Sequence, residues 1–353
     1  MQQPDTTPEP PATIAPAPVA VPVPARAPAT LAEVARRAGV STATASRVLS
    51  RSAPVSAAVA ARVVDAAREL TYVRRRAPRG RGTGVVAVVV FADPLRSHAD
   101  PFHHRLLAGL RHAAAGLERE LAVFTVPERA QRPTLLRHLC GGHVDGVLLV
   151  GAWEDAELPR LLRAAGVPVV SVGRPVRAGA AAYVDVANLS GARAAALWLC
   201  ESGRRSVATI AGPPDTAVGA DRLAGYRQAV AEAGPAFRPA VAYGDFSGVS
   251  GEHAMLRLLQ QRPVLEAVFV ASDPMAMGAL RVLRRLGRRV PDQVAVIGFD
   301  DVPAAARARP RLTTVHQPVE QLGARALEMV LDGPDRTASL VLPTSLVLRD
   351  SAG

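Results

Sequence analysis

The run Val85–Phe91, VVAVVVF, is apolar at every position, and the pattern recurs down the chain. Leu121–Val126, Val144–Gly151, Val167–Gly173, Ser206–Gly212, Ala267–Ser272 and Gln293–Asp300 are likewise mostly apolar, without regular alternation. Helical stretches separate them, the first near Phe102–Glu120. A strand with one wet face alternates apolar and polar residues. A strand that is apolar throughout is buried on both faces, as in a parallel sheet covered by helices. The alternation lasts roughly 260 residues, too long for one small open sheet, so the spacing leaves two forms: two side-by-side α/β lobes, or one barrel.

Upstream, Thr30–Leu70 reads as three short helices. Thr30 and Glu33 form a Thr-x-x-Glu capping box, and Leu31, Val34, Ala35 and Ala38 share one face. Gly39 is placed to end that helix in the left-handed region. Ser41 caps a second helix, Thr42–Leu49, and Ser56 a third with Val59, Val63, Ala66 or Ala67, and Leu70 inward. A short turn containing glycine between two such helices is the helix-turn-helix arrangement.

Charge supports a nucleic-acid partner only through its distribution. All 42 cationic side chains are arginine and the net charge is +11, a bias that coding composition can produce. Between Ala29 and Gly84, however, 11 arginines face 3 acids, which places +8 of the +11 in one short segment. The flanks are simpler. Met1–Pro28 is rich in Pro and Ala and is expected to be a disordered tail. Thr71–Gly84 carries five arginines from Arg74 to Arg81 among Pro78 and glycines and reads as a cationic linker. Gly80, Gly82 and Gly84 precede a strand and do not follow one, which excludes a dinucleotide-binding turn.

Other function classes find no support. Cys140 and Cys200 are too few for a disulfide framework, no apolar run is long enough to span a membrane, and the N-terminus has no signal-peptide pattern. A cytoplasmic protein is expected. His98, His103, His104 and His112 cluster without the acid or cysteine spacing of a metal site. Ser247–Gly251, SGVSG, is one residue short of a nucleophile elbow, so Ser250 reads as a helix cap. No catalytic set or cofactor motif emerges, and neither metal nor cofactor is expected.

TLAEVARRAGVSTATASRVLS and AARELTYV resemble the DNA-binding head of lactose-repressor-type (LacI/GalR) transcription factors. Later segments agree in order, among them DPFHHRLLAGLRHAA, HVDGVLLVG, GVPVVSVGRP, YVDVANLSGARAAALWL, IAGPPDTAVGADRLAGYRQA, YGDFSGVSG, VFVASDPMAMGAL, VPDQVAVIGFDD and LTTVHQPVEQLGARA. The resemblance spans Thr30–Asp350. It implies an α/β fold: an N-terminal three-helix DNA-binding domain, then a two-lobed periplasmic-binding-protein-like domain with parallel sheets. The implied boundaries are 1–28 for the tail, 29–73 for the DNA-binding domain, 74–84 for the Arg-rich linker and 85–350 for the effector-binding and dimerisation domain. Lobe 1 takes about 85–186 plus 318–337, and lobe 2 about 187–317 plus 338–350.

The resemblance also implies partners. The second helix enters the major groove of a palindromic operator, placing Thr42, Ala43, Thr44, Ser46 and Arg47 at the bases, with Arg47 suited to a bidentate guanine contact. Two-fold operators imply a homodimer. Relatives carry an Asn and a Leu after the tyrosine, in a hinge helix whose leucine enters the minor groove. Here YVRRRAPRGRGTG lacks that leucine, and Arg74, Arg75 and Arg76 are expected on the DNA backbone or in a narrow minor groove. The effector is expected to be a carbohydrate held by Asp100, Phe102, Ser171, Arg222, Ser272 and Asp300. A purine or nucleoside could use the same groups, and a solute-binding protein without a DNA role is the further alternative.

Overall fold

The computed structural model describes residues 31–50, 55–70, 82–91, 100–126, 132–151, 157–176, 181–234, 237, 239–335 and 337–353. The chain divides into two compact units after Arg75. The expected tail, the Thr30 cap and Arg74–Arg81 lie outside the described residues.

In the first unit, α1 (Leu31–Ala38), α2 (Thr42–Ser50) and α3 (Ala57–Glu69) enclose a small core of Val34, Ala35, Ala38, Ala45, Val63 and Ala66. Gly39 adopts φ +65° and ends α1. Ser41 Oγ accepts from the Thr44 backbone N at 3.1 Å, satisfying an orphan donor at the start of α2. Arg37 and Glu69 pair at 2.5 Å between α1 and α3.

The second unit holds two six-stranded sheets, which settles the choice against a barrel. The first contains β1 (Val85–Val90), β2 (Glu120–Thr125), β3 (Gly146–Val150), β4 (Val169–Val172), β5 (Ala182–Val186) and β11 (Ser339–Leu342), in the order β11-β5-β4-β3-β1-β2, all parallel. Helices α4 (Pro101–Gly116) and α11 (Val319–Leu331) cover one face; α5 (Arg132–Cys140) and α6 (Glu157–Ala164) cover the other. The second sheet contains β6 (Val207–Ala211), β7 (Val241–Tyr243), β8 (Ala267–Val270), β9 (Ala295–Asp300), β10 (Thr313–His316) and β12 (Ser345–Val347). Its order is β12-β10-β9-β8-β6-β7, parallel except where β12 runs against β10. It lies between α7 (Asn188–Glu201) with α8 (Ala217–Ala233) and α9 (Gly248–Gln261) with α10 (Asp273–Arg285).

The chain crosses between sheets after β5, after β10 and after β11. One expected lobe boundary is corrected. Ser339–Leu342 pairs with Tyr183–Val186, so these residues belong to lobe 1 and not to the 338–350 share of lobe 2. The helix cap expected at Ser250 is also corrected. Ser247 caps α9 by accepting from Ser250 N at 3.1 Å, while Ser250 Oγ donates to the Ser247 carbonyl. Among the described residues no helix is long and apolar enough to cross a membrane.

Candidate functional site

The DNA-reading candidates sit on one short helix. Thr42, Ala43 and Arg47 are exposed on α2, with Thr44 and Ser46 half-buried. The helix owes its placement to Ala45, fully buried between α1 and α3. Thr44 is partly committed to the helix start, because its hydroxyl lies 2.9 Å from Ser41 Oγ. Arg74, Arg75 and Arg76 lie outside the described residues.

In the second unit a cavity of about 880 Å³, part of it open to solvent, separates the two sheets. Lobe 1 contributes Asp100, Phe102 and His103 from the start of α4, Arg174 after β4, and Asp185 at the end of β5. Lobe 2 contributes Arg222 from α8, Phe246, Ser272 and Asp300, with Asn188 and Gln317 at the crossings. Strand ends and helix starts converge here because every neighbouring β-α connection opens on the same edge of a parallel sheet.

Arg222 is the centre of the polar network. Its Nε donates to Asn188 Oδ1 at 2.9 Å, and its Nη1 to the Ala271 carbonyl at 2.6 Å and to Asp300 Oδ1 at 3.1 Å. The guanidinium lies 3.7 Å over the Phe299 ring. Gln317 Nε2 adds a 2.7 Å bond to Asp300 Oδ1. Burial lifts the Asp300 carboxyl to about 6, against the downward pull of Arg222, and burial also lowers the Arg222 guanidinium from its ordinary value. Asp185 is raised by burial too, opposed by backbone donors from Val186 and Arg174 at 2.7 and 3.0 Å.

The turn after β9 is strained. Asp300 and Asp301 adopt φ +116° and +52°, a region that side chains resist and that clusters at binding sites. Buried Asp273 holds this turn in place, accepting from Val302 N at 2.9 Å and Thr314 Oγ1 at 2.6 Å. Phe246 has φ +70°, and its carbonyl accepts from Ser272 Oγ at 3.4 Å.

The cavity thus brings together Asp100, Phe102, Arg222, Ser272 and Asp300. Two of these double as helix caps, Asp100 for α4 and Ser272 for α10. Ser171 does not line the cavity. Its neighbours Val170 and Val172 pack on the α4 and α11 side of the first sheet, and side chains alternate along a strand, which turns Ser171 to the opposite face. Sequence reasoning passed over Asp185, Asn188, Arg174, Phe246, Gln317 and His103 as lining residues. The YVDVAN segment carried a hint: an acid and an amide three apart at the end of an apolar run. His103 Nδ1 is buried without a hydrogen-bond partner, 3.5 Å from Asp100 Oδ2, and burial lowers its pKa from the ordinary value. Among the described residues no group of three or more His, Cys, Asp or Glu is arranged to hold a metal ion.

Residues 30–75 match the bacterial regulatory proteins of the lacI family, and residues 197–352 match the periplasmic binding protein-like domain. The HTH-type transcriptional regulator CelR of Thermobifida fusca is 42% identical over 332 residues, covering 91% of this chain and 98% of CelR. A solved CelR–cellobiose complex superposes with a TM-score of 0.71 at 40% identity, covering 92% of this chain and 99% of that one. The lac repressor dimer bound to operator and the anti-inducer ONPF superposes at 0.68 with 26% identity, covering 92% and 99%.

Proposed function

We propose an effector and a mode of action for this chain, which belongs to the lacI family of bacterial regulatory proteins. It is a sequence-specific DNA-binding repressor controlled by a sugar, and it works as a homodimer whose two heads read a palindromic operator. The effector is a neutral disaccharide of the cellobiose type.

One observation carries this reading. The buried Arg222–Asp300 pair lines the same cavity as Phe102 and Phe246, contributed by opposite lobes. Paired donor and acceptor groups suit vicinal hydroxyls, and aromatic walls suit the apolar faces of a pyranose. Three carboxylates, Asp100, Asp185 and Asp300, face two guanidiniums, Arg174 and Arg222, so the cavity disfavours a phosphorylated ligand. The CelR protein solved with cellobiose, which aligns over nearly the whole chain, supports the same ligand class.

On the DNA side, α2 reads base edges through Thr42, Ala43, Thr44, Ser46 and Arg47, and the Arg74–Arg76 run adds phosphate contacts. Isothermal titration of the full-length protein with cellobiose, glucose 6-phosphate and a purine nucleoside tests the ligand. Heat of binding with cellobiose alone is expected; binding of the nucleoside or the phosphate in its place overturns the reading.

A further inference from the structure

Among the described residues two lobe-1 arginines reach lobe 2. Arg105 on α4 pairs with Glu320 of its own lobe and donates from Nη1 to the Asp300 carbonyl at 2.8 Å and from Nη2 to the Gln317 carbonyl at 3.3 Å. Those acceptors lie at or beside the crossing after β10, where covalent continuity already limits any separation of the lobes. Arg174 is different. It leaves β4 and places Nη2 2.7 Å from Asp221 Oδ1 on α8, in the body of lobe 2.

Asp221 immediately precedes Arg222, and both connect to Arg174. Asp221 does so directly. Arg222 does so through a chain: Arg174 N donates to Asp185 Oδ2 at 3.0 Å, Asn188 Nδ2 donates to Asp185 Oδ1 at 3.1 Å, and Asn188 Oδ1 accepts from Arg222 Nε at 2.9 Å. This ring of polar contacts ties lobe 1 to α8 at the separation seen here. Asp185 and Asn188 are three residues apart at the crossing, whereas the Arg174–Asp221 contact joins side chains far apart in sequence across the cleft, so it is the contact in the ring most exposed to a change in lobe separation.

We propose that Arg174 and Asp221 are a positioning pair: their cross-cleft contact holds the lobe separation at which Asp100 and Phe102 of lobe 1 close on an effector held by Arg222 and Asp300 of lobe 2. The pair therefore sets how tightly the effector binds, although Asp221 itself is not among the residues lining the cavity. The ligand arm of the test rests on the sugar reading above; the shape arm does not.

The test is a double-mutant cycle of R174Q and D221N in the full-length protein. D221N is isosteric, and R174Q shortens the side chain and removes its charge; either one removes the ion pair. Each single variant is expected to bind cellobiose about two- to fivefold more weakly, the range of a partly exposed ion pair, because the binding-competent state becomes less populated. The double variant is expected to bind no more weakly than the weaker single one. Without effector, small-angle scattering is expected to show the same increase in radius of gyration in both single variants and no further increase in the double. An unchanged radius in the single variants overturns the proposal whatever the ligand is. So does a full additional loss of affinity from R174Q in the D221N background, which would make Arg174 a direct ligand contact. If the wild type binds no cellobiose while the scattering follows the cycle, the sugar reading fails and the positioning pair stands.

Discussion

Arg222 and Asp300 meet at 3.1 Å inside lobe 2, with side chains only 5% and 12% exposed. A pair so thoroughly removed from water contributes little net stability by itself, because desolvation offsets the attraction. Its value is geometric: it holds a charged donor fork and a carboxylate oxygen at one wall of the cavity, in place before any ligand arrives.

Replacing Arg222 tests that geometry. R222A leaves Asp300 buried without its cation, and a loss of about 3–5 kcal/mol of folding stability is expected. R222K keeps the charge, but a single nitrogen cannot reproduce a fork that serves Asn188, Ala271 and Asp300. Its effector affinity is expected to fall by about 2 kcal/mol or more. Calorimetric titration and thermal unfolding of both variants read the two effects separately.

Asp300 should make effector binding fade in acid. Its folded pKa of about 6 lies above the ordinary carboxylate value of 3.8, so it protonates first in the native state. Below about pH 6 the carboxylate loses its charge and part of its acceptor capacity, and affinity should fall by up to about tenfold per pH unit. Stability moves the other way. Between those two values the native state binds more protons at this site than the unfolded chain, so the Asp300 contribution improves as pH falls from about 6 and levels off below the unfolded pKa. D300N should remove both dependences, measured by titration and by chemical denaturation across that window.

His103 separates stability from function. Its buried Nδ1 lies 3.5 Å from Asp100 Oδ2, at the limit of hydrogen-bond reach, and burial disfavours its charged form. H103F should therefore raise the unfolding midpoint while weakening effector binding, a trade typical of ligand sites. A variant with lower stability and unchanged affinity would place His103 among ordinary packing residues.

On DNA, Arg47 and the Arg74–Arg76 run should behave differently. R47A is expected to cost about 1–3 kcal/mol on the cognate operator and to relax base preference. Alanine at Arg74, Arg75 and Arg76 should weaken all duplexes alike and flatten the salt dependence, by a slope of about 0.9 per lost phosphate contact. Fluorescence anisotropy over a salt series distinguishes the two patterns.

Much of this architecture was legible in the chain. Runs such as Val85–Phe91 are apolar at every position, and only a sheet covered on both faces accommodates that; the structure buries Val86–Val90 completely or nearly so. Gly39 was legible because few other residues tolerate φ +65° at a helix end. Short or partly exposed strands were not: β7, β11 and β12 have three or four residues each, too few to establish a period. Ser171 shows a second limit. One residue of register decides which face a side chain takes, and an all-apolar strand offers no alternation from which to read it. Phe246 shows a third, since its place in the cavity depends on a backbone at φ +70° that no local pattern announces.

The proposed function couples operator binding to a neutral disaccharide within one chain. The direct measurement uses full-length protein on a fluorescently labelled palindromic operator selected from a randomised pool, titrated with cellobiose at fixed salt. The expected result is specific binding that cellobiose reverses in the wild type but not in R222K at the same concentration. Operator affinity that does not change at saturating cellobiose would rule out that coupling.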